Sequence, residues 1–445
     1  MIRPLALVLL LAASPTPPAL AAEATAPAAQ PTPPAAREAA GNPPGADGPL
    51  TLDQAVATAL AHQPLLLSAR AQTRAAKARA SQGNSFLLPQ AGLTASATRA
   101  QSPNSFGGGS TTGDVYSLGL SASQTLFDAN AWYGASAGRS AAAAQVETER
   151  ATRLAVVLAV ETAWYQAAAA RDLVEVAKET LANREAHLAQ VKGFVEVGTR
   201  PEIDLAQARA DRSSSVVQVI ATENSFATAH AQLNQAMGVA ASTDYALAPA
   251  ALVPLAGEEG SIEALLAEAL AARPEVAARA RQREAQVATV RAAQGGYLPA
   301  VGATGKLGEV GPAVDETQRT WSAGVTLTWN LFAGGYTSAR TSEAQANLDA
   351  LDADDEAFRQ QVRLDLEQAR LAVRSAKAGL EATAEVVVNA RERLRLAEAR
   401  YQAGLGSGLE LSDAQVAVTD AAAQEVKARF TLATARAQLA QSLGR

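Results

Sequence analysis

Residues 321–332 read WSAGVTLTWNLF. Trp321, Ala323, Val325, Leu327, Trp329 and Leu331 fill one set of alternate positions; Ser322, Gly324, Thr326, Thr328 and Asn330 fill the other. Successive side chains of a strand point to opposite faces, so this period of two predicts a strand with one apolar and one polar face. A half-buried sheet of a soluble domain would show the same period. Three details point instead to a membrane barrel. The polar set is almost all Ser, Thr and Gly, as for a water-filled lumen. The apolar set carries aromatics near its ends, as in the girdles of outer-membrane barrels. The length is close to the roughly 9–11 residues that a tilted membrane strand needs.

The same pattern recurs upstream in YSLGLSASQTLF, 116–127, with Tyr116, Leu118, Leu120 and Ala122 on its apolar side. Weaker alternation in AGLTASAT (91–98) and AVGATGKL (300–307) supplies the other arm of each hairpin. Four strands per chain are therefore expected, in hairpins at about 90–127 and 299–332, with Tyr116, Trp321 and Trp329 as girdle residues. Lipid does not tolerate an unpaired sheet edge. The smallest bacterial barrels have about eight strands, so one chain cannot close. Two, three or four chains would supply enough, and physics alone does not choose among them.

Each hairpin belongs to a larger unit that occurs twice. LTLDQAVATALAHQP (50–64) matches SIEALLAEALAARP (261–274), and LLP at 87–89 matches YLP at 297–299. Further on, Gly198 aligns with Gly404, and AQLNQAMG (231–238) with AQLAQSLG (437–444). SPNSFGGGSTTGD (102–114) reads as an extra loop in the first copy. In each copy a short helix closes at a proline and an Ala-rich helix runs on to about residue 85 or 296. Then come the hairpin, a Pro-free stretch at about 130–196 or 336–402, a Gly-bearing turn, and a returning helix of about 35 residues.

Each Pro-free stretch, if helical throughout, would reach on the order of 100 Å. Val174, Leu181, Leu188 and Val195, with Leu380, Val387, Leu394 and Tyr401, recur every seven residues as coiled-coil seams do. Two shorter helices stacked end to end against each long one would cover it, giving a rod attached to a barrel.

The rest of the chain bounds the function. MIRPLALVLLLAAS followed by PALAAEA predicts a signal peptide over 1–22, too short in its apolar run to span a bilayer. An Ala/Pro-rich, disordered lead-in is expected over 23–48. Repeat one is placed at 49–238, a linker at 239–260 and repeat two at 261–445. A net charge of -6 argues against nucleic acid, and the absence of Cys excludes disulfides and thiolate metal sites. His62, His187 and His230 are scattered, and no HExxH, P-loop or GxSxG motif occurs. An enzyme is not expected, and neither is a cofactor or a metal.

The signal peptide, the duplicated hairpin/long-helix unit, the proline-closed helix and the AQLxQxxG ending together resemble the TolC-type outer membrane efflux proteins. The resemblance covers roughly residues 50–444. It implies an α+β membrane protein: a homotrimer with a twelve-stranded barrel in the outer membrane, continued into the periplasm by an α-helical tunnel. It also implies docking to a periplasmic adaptor and an inner-membrane transporter, as the passive exit duct of a tripartite efflux pump or type I secretion system. The alternative is a periplasmic coiled-coil adaptor or structural rod without a pore.

By the same resemblance the turns VGTRPEIDLAQA (197–208) and AGLGSGLELSDA (403–414) lie at the periplasmic end. The family's adaptor-contact triplet is matched in part by Val197, Gly198 and Thr199 and by Ala403, Gly404 and Leu405. Capping of the long helices would equally account for the glycines. Aligning on Gly404 places Glu410 and Asp413 where relatives narrow the tunnel with acidic rings, although acidic groups also suit a first helical turn. Tyr401 matches a tyrosine of the family's closing network. Gly406 stands where that network can use an Arg, while copy one keeps Arg200.

Overall fold

The computed structural model describes residues 48–103, 110–240, 243–249 and 253–445. The expected signal peptide and the lead-in as far as residue 47 lie outside the described residues, as does the centre of the Gly-rich loop.

Helix α1 (Leu52–His62) opens on a reciprocal capping box between Thr51 and Gln54. Pro64 starts α2 (Pro64–Ser85), where its missing N–H removes no helical bond. Strands β1 (Gln90–Pro103) and β2 (Ser110–Phe127) follow. Asp128 then accepts from the Asn130 and Ala131 amides and starts α3 (Ala129–Glu196), from which the chain returns along α4 (Glu202–Met237). Copy two repeats the order: α5 (Ile262–Ala272), α6 (Pro274–Gln294), β3 (Ala300–Gly311), β4 (Gln318–Thr328), α7 (Tyr336–Gln402) and α8 (Gly408–Ser442).

One strand is shorter than its alternation predicts. β4 ends at Thr328, so Trp329 and Leu331 lie beyond the ladder. The Trp329 indole N–H donates to the Tyr297 carbonyl (3.1 Å), outside the strand pairing. The chain then turns through Gly334 and Gly335, both at positive φ, before α7 begins. In copy one β2 runs to Phe127 and Asp128 caps the long helix directly. The two copies thus use different junctions between strand and helix.

The sheet is antiparallel in the order β1-β2-β3-β4. Its register lines up the sequence faces across all four strands. Leu93, Leu120, Leu307 and Trp321 form one row, and Gly92, Ser121, Lys306 and Ser322 the adjacent row on the opposite face. Within the chain β1 and β4 each keep one unpaired edge.

Helix α3 packs against α2 and α6 in its sheet-proximal half and against α4 and α8 towards the turns, while α6 and α8 also contact α7. Small residues allow close approach: an added Cβ at Gly83 would lie 3.8 Å from the Ala135 Cα, and one at Gly138 would lie 3.7 Å from the Ala80 Cα. Where the stacked short helices meet, the duplicated ending finds its reason. Gly238 adopts φ 74°, and a Cβ there would sit 2.8 Å from the Gln63 Cα. Gly444 adopts φ 84°, and a Cβ there would sit 2.8 Å from the Ala272 carbonyl carbon and the Arg273 amide nitrogen. The returning helix ends against the proline-led start of the preceding one, and only glycine satisfies both the conformation and the gap.

The cores beneath these junctions are duplicated too. Val156, Val160, Leu233 and Met237 are buried in one; Val362, Leu366, Leu439 and Leu443 are buried at the equivalent positions of the other. Of the predicted seam, Val174, Val387 and Tyr401 are buried, whereas Leu181, Leu188, Val195, Leu380 and Leu394 are half-buried. A groove between α3 and α7, floored by α8, leaves these long helices apart near the turns.

Candidate functional site

Both long helices end in the same cap. Gly198 and Gly404 have φ 74°. Thr199 N–H donates to the Phe194 carbonyl (2.9 Å) and Gly198 N–H to Val195 (3.0 Å). Leu405 N–H donates to Arg400 (2.9 Å) and Gly404 N–H to Tyr401 (3.1 Å). This pair of bonds is the Schellman arrangement, so the glycines do cap the helices. The caps leave Val197, Gly198, Thr199, Ala403, Gly404 and Leu405 exposed, with Val197 at 72% and Leu405 at 77%. Sequence reading overlooked two more apolar tip residues, Ile203 and Leu409, also exposed. Each is a large aliphatic residue in the first turn of its returning helix, at equivalent places in the two copies, and that duplication was the available signal.

Tyr401 is only 2% exposed, at the edge of the groove between α3 and α7. It packs with Val191, Ala208, Ala397, Leu411 and Ala414, which draws together α3, α4, α7 and α8. Burial raises its phenol pKa, and its hydroxyl meets no hydrogen-bond partner among the described residues. The Arg200 guanidinium stacks over the ring at 4.3 Å, donates to the Tyr401 carbonyl (3.2 Å) and lies 4.0 Å from Asp204. An arginine of the first copy thereby reaches across to the second. Gly406 is buried, and a Cβ there would lie 3.1 Å from the Tyr401 amide nitrogen.

The two acidic candidates differ. Glu410 lies three residues past the α8 cap Ser407, whose Oγ accepts its amide (3.1 Å), and its carboxylate pairs with Arg400 (3.2 Å). Asp413 is exposed, with no ion-pair partner among the described residues. The two share one side of α8, being three apart.

About two turns above Tyr401, a polar node was missed altogether. Arg184 on α3, 6% exposed, donates to Asp211 on α4 (3.3 Å) and to Ser412 and Gln415 on α8. Ser412 donates to Asp211 as well (3.1 Å). The node ties the two tip hairpins together with every partner bonded, which a buried charge requires. Burial, then the neighbouring Arg184 charge, lowers the His187 pKa, with Asp211 and Asp204 acting against both. His187 and Arg184 also line the groove between α3 and α7, of about 430 Å³. An arginine on a helix reads in sequence as a solvated residue, so nothing in the chain announced this node.

At the other end the apolar strand face is bare. Trp321 is 77% exposed, and Leu93, Leu120 and Leu307 beside it are exposed. Trp329 marks the helix side of the sheet, and Tyr116 sits half-buried on the same face as Ala97 and Gly311. Further exposed aromatics that the strand pattern did not disclose stand where strands meet helices: Phe86, Trp132, Tyr297, Phe332 and Tyr336. In a chain with only 4% aromatics, their concentration at the four junctions between strands and helices was the signal. No cluster of potential metal ligands occurs among the described residues.

The profile of a family described as outer membrane efflux protein matches residues 55–239 and 265–445. The chain is 25% identical over 390 residues to the outer membrane protein TolC of Vibrio cholerae, covering 86% of this chain and 88% of that one. Among solved structures it resembles the CmeC outer membrane channel of Campylobacter jejuni (TM-score 0.79, 20% identity, 88% of this chain and 85% of that one). It also resembles the outer membrane protein VceC of Vibrio cholerae (TM-score 0.78, 20% identity, 88% and 96%).

Proposed function

The chain belongs to the outer membrane efflux protein family, and from that membership we propose that three copies assemble into one duct, docked at its helical tips to a periplasmic adaptor and an inner-membrane transporter. The protein resides in the outer membrane, extends into the periplasm and serves as the exit channel of an efflux system. Its relatives are channel proteins. The observation that carries the assembly is the sheet. It has four strands, one exposed apolar face, one Ser/Thr/Gly face and two unpaired edges. Such a sheet is stable in lipid only when further copies complete a closed barrel. Three copies follow from the family resemblance, and the duplicated unit then makes the ring nearly sixfold.

At the tips, the exposed apolar residues Val197, Ile203, Leu405 and Leu409 support docking of the adaptor there. Glu410 and Asp413 act as the acidic ring of the aperture. Tyr401 and Arg200 act behind them, holding the two hairpins of each chain in the narrowed state.

Single-channel recording of the purified protein in a planar bilayer tests the reading, with wild type beside Glu410→Ala/Asp413→Ala. Discrete cation-preferring steps whose preference falls in the double variant are expected. Steps indifferent to the substitutions would return both carboxylates to helix capping. A folded, inserted assembly that never conducts, even with its adaptor, would remove the duct.

A further inference from the structure

The described strands contain five charged residues, and four of them share the apolar face. These four are paired: Arg99 with Asp114 (3.4 Å) and Arg319 with Glu309 (3.7 Å). The fifth, Lys306, lies on the opposite face and has no ion-pair partner among the described residues. Its neighbours across the sheet are Ser121 on β2 and Ser322 on β4, and along its own strand Thr304 and Gly308 share its face. None of these side chains is longer than threonine, so an exposed four-carbon stem carries its ammonium clear of the wall. Leu307, the next residue, belongs to the exposed apolar row with Trp321. Lys306 thus stands at the depth of the apolar band, where an ammonium on the lipid side would be costly but one in water is not.

We propose that Lys306 is a cationic selectivity residue of the barrel lumen, favouring passage of carboxylate-, phosphate- or sulfonate-bearing solutes through the outer-membrane segment. This rests on the duct reading above. It makes the duct bipolar, with acidic groups at the periplasmic aperture and an ammonium from each chain further along. By Coulomb's law a unit charge roughly 10 Å away in water enriches monovalent anions about twofold and depletes cations as much. Salt at about 0.01 M, with a Debye length near 30 Å, leaves that effect largely unscreened.

The chain has no cysteine, so Lys306→Cys introduces a unique thiol. The full-length protein would be labelled in lipid vesicles with a charged, membrane-impermeant thiosulfonate, beside Leu307→Cys. Lys306→Cys should react and Leu307→Cys should not; the reverse would put Lys306 on the lipid side and overturn the proposal. Ion selectivity is then recorded in the Glu410→Ala/Asp413→Ala background, so that the aperture does not mask the barrel. Lys306→Cys should raise the cation-to-anion permeability ratio by at least about fourfold, the product of the two twofold effects of a single ammonium, because each of the three chains loses one. An aminoethyl thiosulfonate should restore the original ratio, and a sulfonatoethyl reagent should raise it further. Conducting channels whose ratio ignores all three changes would overturn the proposal and leave the duct standing. Absence of conductance in the parent protein would instead sink the duct, and this inference with it.

Discussion

Asp413 and Glu410 sit three residues apart on one helix, yet they should not contribute equally to an acidic aperture. Glu410 is already paired with Arg400, while Asp413 is exposed. An unpaired carboxylate projects more of its charge into the solvent that passing ions cross. Asp413→Ala should therefore lower cation preference more than Glu410→Ala, as read from reversal potentials in a salt gradient. Equal effects would mean that the Arg400 pair is open in the assembled channel. His187 supplies a pH dependence at the same tip. Its pKa is lowered below the ordinary histidine value of about 6.5 by burial first and by Arg184 second. The unfolded chain then binds the proton more readily than the folded one, so the contribution to stability is full above about pH 6.5 and is lost as the pH falls through that value towards the folded pKa. Thermal unfolding from pH 7.5 to 5.5 should lose stability more steeply in wild type than in His187→Phe. Parallel curves would show that other groups carry the effect.

At the scale of elements, glycines with the same conformation do different work. Gly198 and Gly238 both have φ 74°, but a Cβ at Gly198 meets open space and one at Gly238 meets the Gln63 backbone at 2.8 Å. Gly198→Ala should cost only the left-handed penalty, roughly 1–2 kcal/mol. Gly238→Ala should exceed it by about 1 kcal/mol or more, because overpacking against rigid backbone adds to the penalty. Urea unfolding of the two variants checks the order, and a smaller loss at Gly238 would refute the junction argument. The tip caps lead to a functional rather than a structural expectation. Leu405 is exposed and its side chain takes no part in the cap, so Leu405→Asp should leave the fold intact while weakening capture by the adaptor at least tenfold. Unchanged capture, measured with purified adaptor, would move the docking surface away from the tips.

For the whole molecule the question is what the sheet faces. Leu120 and Ser121 are adjacent on β2, one in the row with Leu307 and the other in the row with Lys306. Leu120→Arg should destabilise the inserted assembly by about 2–4 kcal/mol, the usual cost of a basic residue at the bilayer midplane. Ser121→Arg should preserve the assembly and reduce its conductance. Heat-dependent gel mobility reads the first and bilayer recording the second; similar losses of assembly in both variants would contradict the assignment of faces.

Much of this protein was legible in the chain because its order is local and repeated. A period of two marked the strands, prolines marked the helix starts, and the duplication let each weak signal be checked against its copy. That determined the hairpins, both long helices to within a residue, and the short helices that accompany them. It misplaced the end of β4, where the Trp329 hydrogen bond to Tyr297 and two glycines at positive φ take the chain out of the sheet. Tertiary structure alone decided the remainder. It buried Tyr401 under Arg200 and joined Arg184 to Asp211, Ser412 and Gln415, and it set Lys306 apart from the paired charges of the strands. Periodicity states which face a residue occupies. What that face meets depends on helices and strands far apart in sequence, and a charge becomes a clamp or a filter only when those neighbours are in place.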